Sequence, residues 1–214
     1  MLGGVADLIL PRYCAGCGEP GAVLCGRCRT LLAAPPTRVF PNVAVHAPVF
    51  ALGPYAEAHR GVILAMKERK NLAVRRHVGA VIGAAVEFLE VRGDLPDVDV
   101  LVPAPTRAAS ARERGGDPVQ AVCQASGRAT VPALELDPRT ADQSELDEAG
   151  RRANLAGAVR VTATPAGNVV VVDDVVTTGA TLGASVAGLL AHGVRVVGCL
   201  TPVSYTHLTL PTKA

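Results

Sequence analysis

The hydrophobic pattern changes character near residue 50. Before it, apolar residues are scattered among cysteines, glycines and prolines. The stretch AAPPTRVFPNV (Ala33–Val43) holds three prolines, which excludes helix and reads as a linker, taken here as residues 34–48. After it, strand-like and helix-like runs alternate. A strand over Val49–Tyr55 leads into a helix over Glu57–Lys70 with Val62, Ile63 and Met66 as its apolar stripe, and a second helix fits Arg76–Glu90. Asp99–Val102 is a short strand of the buried kind, ending at Pro103. Asp117-Pro118 supplies an N-cap and a first-turn proline for a helix reaching about Gly127. In NVVVVD (Asn168–Asp173) four consecutive valines predict a strand buried on both faces. Leu182, Val186, Leu189 and Leu190 then recur at helical spacing, Gly193 stops that helix, and VRVVGCL (Val194–Leu200) makes the next strand. The alternation predicts an α/β fold with a mostly parallel sheet flanked by helices.

Length allows one full domain and a small appendage in 214 residues. Hydrophobic residues at 49% and charged residues at 19% argue for a folded core. Aromatic residues are only 3%, without Trp, so the core is built from Ala, Val and Leu, and a nucleic-acid surface of stacked rings is disfavoured. A net charge of +2 disfavours a uniformly basic DNA-coating protein but leaves room for a local basic patch. The opening MLGGVADLILP lacks a basic n-region and meets Pro11 too early for a signal peptide. The best apolar run, Val78–Leu89, is broken by Glu87, so no membrane span is expected. A cytoplasmic, reducing compartment is the expectation. The closing SYTHLTLPTKA (Ser204–Ala214) has three Thr but no Val or Gly and continues no predicted element, so residues 203–214 are set aside as a tail foreign to the rest.

Cys14, Cys17, Cys25 and Cys28 form two CxxC pairs, the spacing that closes a four-thiolate zinc site. Arg12, Arg27 and Arg29 flank it and offset the negative charge of such a centre. Redox-active pairs or inert thiols are the alternatives. Structural zinc is favoured, and catalytic zinc is disfavoured because four sulfurs leave no open position. A unit of residues 1–33 is too small to fold unaided, so metal removal is expected to unfold it and leave the rest intact.

The stretch VVVVDDVVTTGATL (Val169–Leu182) puts two carboxylates at the end of a buried strand, then a small hydroxyl-rich loop, then a helix start. Ligands bind beyond the carboxyl ends of parallel strands, and a helix N-terminus is an anion site. Thr177, Thr178, Gly179, Ala180 and Thr181 suit a phosphate; Asp173 and Asp174 suit the hydroxyls of a sugar. Together they describe a ribose 5-phosphate site. A P-loop would need a Lys after Gly179, and a dinucleotide loop would need GxGxxG; neither is there. His59, His77 and His192 have no carboxylate at fixed spacing, so no general base stands out and the acceptor is unread.

This stretch resembles the PRPP-binding signature of type I phosphoribosyltransferases, and with LILPRYCAGCG and LCGRC ahead of it the chain resembles the ComF family over roughly residues 8–202. The resemblance implies a type I phosphoribosyltransferase fold over residues 49–202, with a zinc ribbon in front and a small hood. It implies transfer of ribosyl 5-phosphate from PRPP with loss of pyrophosphate, a pentosyl transfer in which Asp173 and Asp174 orient the ribose and help place Mg2+. Ala104, Pro105, Thr106 and Arg107 would form the pyrophosphate loop, followed by the arginines of ARERGG. Lys67, Arg151 and Arg152, with Gln143 nearby, would be hood or auxiliary residues. RGGDPVQ (Arg114–Gln120) departs from the RGFNQ of many relatives, which puts that loop's role in doubt. A second class stays open: a non-catalytic factor of DNA uptake and natural competence that uses the PRPP site as a sensor. Its partners would be single-stranded DNA and recombination or competence proteins, and self-association is left open.

Overall fold

The computed structural model describes residues 12–68, 71–136 and 159–205. Five strands form the main sheet: β1 (Thr37–Val39), β2 (Val49–Ala51), β3 (Val100–Pro103), β6 (Asn168–Val172) and β8 (Arg195–Thr201), in the order β1-β2-β8-β6-β3. All neighbours are parallel except the β1-β2 pair. Two small parallel or antiparallel pairs stand beside it: β4 (Leu134–Leu136) with β5 (Val159–Val161), and β7 (Val175–Val176) with β9 (Val203–Ser204). The helices are α1 (Gly26–Leu32), α2 (Glu57–Lys67), α3 (Leu72–Val91), α4 (Ala108–Glu113), α5 (Pro118–Gln124) and α6 (Ala180–Ala191).

The valine run explains why β6 lies centrally. Side chains alternate across a strand, so Val170 and Val172 join the core beneath α2, α3 and α5, while Val169 and Val171 join the core beneath α6. All four are essentially inaccessible, as strands covered on both faces require. α6 lies in the crossover that connects the parallel neighbours β6 and β8. Among the described residues no helix is long and apolar enough to cross a membrane.

Several elements differ from the sequence reading. The linker contains β1, because prolines at 35, 36 and 41 forbid helix but are compatible with a short edge strand between them. The first strand closes at Ala51, where Leu52 and Gly53 turn the chain towards α2. α3 begins earlier than expected, at Leu72, because the Asn71 side chain accepts a hydrogen bond from the Val74 N–H and caps it. The stretch set aside at the C-terminus begins inside a strand: Ser204 is buried in β9, its N–H donates to the Gly53 carbonyl, and the Tyr205 ring stacks on Tyr55 at 4.1 Å. Residues 206–214 lie outside the described residues.

The cysteine unit is continuous with the main core. Cys14, Ala15, Leu24, Cys28 and Leu32 share one apolar cluster with Leu52, Val62, Ile63 and Val78. The approach to α2 is close enough to require a glycine: a Cβ on Gly61 would lie 2.1 Å from the Gly16 carbonyl oxygen. This contact was not legible in the spacing of the cysteines. It argues against the expectation that residues 1–33 unfold alone.

Candidate functional site

The four cysteines meet as their spacing requires. Their sulfurs all lie within 4.8 Å of one another, and Cys17 and Cys25 are 3.7 Å apart. Four sulfurs about 2.3 Å from a shared zinc ion would be about 3.8 Å apart, so the observed separation is that of a tetrahedral edge. Burial pushes the Cys14 thiol up, yet backbone N–H groups of Cys25, Cys17 and Gly16 together outweigh it and hold its pKa at about 6. The Cys25 N–H donates to Cys14 Sγ at 3.3 Å. Cys28 is pushed the other way by burial and by its thiol neighbours. The set is positioned to bind a metal ion, and four soft sulfurs without an open position fit structural zinc.

The second site gathers at the carboxyl ends of β3 and β6. Parallel register sets Pro103 opposite Val172, and the Ala104 N–H donates to the Val172 carbonyl at 2.7 Å. The loop of Ala104, Pro105, Thr106 and Arg107 therefore starts directly beside Asp173. Ala104 is buried, Pro105 and Thr106 are half-buried, and Arg107 is exposed at the start of α4.

The acid pair is tied down from two sides. The Asp174 N–H donates to Asp173 Oδ1 at 2.7 Å, and Lys67 Nζ, from the last turn of α2, lies 2.7 Å from Asp174 Oδ2. Lys67 was expected only as an auxiliary; the structure pairs it with one of the two acids. Part of the Asp173 residue stays accessible, but its carboxyl is enclosed, so burial is the largest influence on it and the Asp174 charge adds to it, raising the pKa to about 7. The charge of Lys67 works against that rise, and the charge of Asp117 adds to it.

Beyond the pair, β7 leads into Thr177 and Thr178, both exposed, and Gly179, which caps α6 in the left-handed region at φ +86°. A Cβ there would also lie 2.4 Å from Pro41 Cβ, so conformation and space both require glycine. The Ala180 N–H donates to Thr178 Oγ1 at 3.3 Å. The Val43 N–H donates to the Thr178 carbonyl at 2.8 Å, so the segment before β2 braces the loop. Small hydroxyl residues and the N-terminus of a twelve-residue helix thus stand beside two carboxylates, an arrangement suited to a phosphorylated polyol.

Arg151, Arg152 and Gln143, expected from the resemblance as hood or auxiliary residues, lie outside the described residues. β4 and β5 pair antiparallel at the two ends of that segment. The histidines do not converge on the acids: His59 is buried in the core against Gly53, and His192 sits at the far end of α6 with Nδ1 2.9 Å from the Gly188 carbonyl oxygen. Asp117 was read only as a helix cap, which it is, accepting from the N–H groups of Val119 and Gln120. Its influence on Asp173 needed the tertiary structure, since nothing in the local sequence aims α5 at β6.

A family model described as the phosphoribosyl transferase domain matches residues 137–214. The match covers the acid pair, the Thr-Gly loop and α6, and it runs through the stretch set aside as foreign; the loop at 104–107 and Lys67 lie outside it. No curated protein matches the chain.

Proposed function

We propose that the chain binds PRPP at the carboxyl ends of β3 and β6 and is a phosphoribosyltransferase-like protein of the ComF type, acting in a reducing, cytoplasmic setting. The observation that carries this is the run Asp173-Asp174 followed by Thr177–Thr181 at the start of α6, set beside the loop at 104–107 and inside the segment matched by the phosphoribosyl transferase family. In this reading the N–H groups and hydroxyls of residues 177–181 bind the 5-phosphate. Asp173 and Asp174 accept hydrogen bonds from the ribose hydroxyls. Backbone donors of residues 104–107 and the Arg107 guanidinium take the pyrophosphate.

Two carboxylates are hard oxygen donors and fit magnesium, which when bound would neutralise charge on the leaving pyrophosphate. Lys67 now occupies one oxygen of Asp174, so it serves as the cation of the pair until ligand arrives. Transfer would break the bond between the anomeric carbon and pyrophosphate and form one to an acceptor, which gives up a proton. Positive charge developing on the ribose is stabilised by the nearby carboxylates rather than by a covalent intermediate. Zinc in the four-cysteine site would be structural.

A second reading, a competence or recombination factor that binds single-stranded DNA and uses PRPP as a signal, draws support from Arg107 and Arg112, both exposed along α4. Calorimetry with magnesium and PRPP tests the common premise. Binding is expected, weakened at least about ten-fold by Asp174→Asn. No binding by the intact protein overturns both readings. Pyrophosphate release with a base or amine acceptor marks the enzyme, whereas silence there, with DNA binding that falls steeply with salt, marks the second reading.

A further inference from the structure

Arg75 plays no part in the reading above, yet it is the most deeply buried cation among the described residues, at 5% exposure. It shares the inward face of α3 with Gly79, Ile82 and Val86. Its guanidinium donates to the Arg114 carbonyl at 2.7 Å and to the Gly115 carbonyl at 3.4 Å. Its Nε is buried without a hydrogen-bond partner, and among the described residues no carboxylate forms an ion pair with it. The charge of Asp117 acts on it from a distance, but that carboxylate is engaged in capping α5. A guanidinium buried this way costs more than an apolar side chain on the same helix face would. Packing alone therefore does not account for it.

Its two acceptors are consecutive carbonyls at the corner between α4 and α5. Upstream, a six-residue helix runs back to Arg107, at the end of the loop beside Asp173. Downstream, Asp117 caps α5, whose first turn, at Pro118 and Val119, lines one small cavity together with Asp173 and Asp174. Arg75 thus grips the midpoint of a segment whose downstream end borders the acid pair and whose upstream end joins the loop that starts beside it.

We propose that Arg75 is a positioning residue for the pyrophosphate side of the site. By holding the Arg114 and Gly115 carbonyls with a rigid fork, it fixes where Arg107, Arg112 and the first turn of α5 stand relative to Asp173 and Asp174. The inference rests on the phosphoribosyl reading. It makes one half of the ligand sensitive to a residue that touches neither half.

Calorimetry on the full chain, with magnesium pyrophosphate and with ribose 5-phosphate as separate probes, distinguishes the two claims. Arg75→Met is expected to weaken pyrophosphate about ten-fold or more, because small misplacements of binding groups cost that much, while ribose 5-phosphate changes less than about two-fold. Arg75→Lys keeps the charge but lacks the fork, so it is expected to recover only part of the loss. Wild-type protein that binds neither probe overturns the phosphoribosyl reading, and this inference with it. Wild-type protein that binds both, with folded variants losing neither or losing both equally, overturns the role of Arg75 alone. Should Arg75→Met not fold, Arg75→Lys carries the same contrast; loss of fold in both makes the residue structural and overturns the proposal.

Discussion

The two sites are built in opposite ways. The cysteine site draws all its ligands from a short stretch of chain, whose two CxxC turns bring four sulfurs within 4.8 Å. The acid site draws Lys67 from α2, the loop at 104–107 from the end of β3 and its carboxylates from the end of β6, and the whole sheet must form before any of them meet. A local site can be read from spacing; a distributed one shows only its most compact fragment. The contrast has a limit, because the local site leans on the distributed fold through Gly16, Gly61 and a shared apolar cluster.

Chelation under reducing conditions gives the largest test of that limit. A bound structural zinc contributes on the order of 10 kcal/mol of apparent binding energy, comparable with the stability of a whole domain. With the core shared, calorimetry is expected to show one cooperative transition displaced strongly downward. Two separated transitions, the upper unmoved, would restore the view of the cysteine unit as an independent appendage.

A smaller effect is expected at the Thr-Gly loop before α6. Gly179→Ala places a Cβ in the left-handed region and against Pro41, at a cost of about 1–3 kcal/mol. For a chain of this size that lowers Tm by roughly 3–10 °C. Ribose 5-phosphate should bind more weakly as well, since the N-terminus of α6 must shift. An unchanged Tm would mean that the segment at Pro41 yields freely.

A third effect is electrostatic and depends on pH. Burial, with the Asp174 charge beside it, raises the Asp173 carboxyl from an ordinary 3.8 to about 7, so its neutral form is the one favoured by folding. That contribution is fully present below pH 3.8 and is lost as pH rises through about 7. Asp173→Asn, which stays neutral, should therefore raise the Tm of the ligand-free protein at pH 8 and change it little at pH 4. Equal shifts at both pH values would show that the carboxyl is not strained by burial.

Legibility followed the same division. The valine run, the Asp117 cap and the β6-α6-β8 unit could be read because each is encoded by neighbours in sequence. Lys67 enters the sequence reading only through the family resemblance, and its ion pair with Asp174 is a product of how α2 packs on the sheet. Arg75 leaves only a faint trace in the sequence, a single charged residue on the apolar stripe of α3 at helical spacing from Gly79, Ile82 and Val86. β1 and β9 were missed because strands of two or three residues, bordered by proline or set among unlike residues, carry too little periodicity to register.

The brace at Pro41 and Val43 bears on how the molecule can be taken apart. Cutting the chain between the cysteine unit and the sheet looks natural from sequence, since the cut would fall in a proline-rich connection. In the folded protein that connection supplies an edge strand and a wall of the Thr-Gly loop, with Val43 bonded to Thr178 and Pro41 pressed on Gly179. A fragment starting at residue 49 would lack both, so the minimal unit for studying the acid site in isolation begins no later than Thr37.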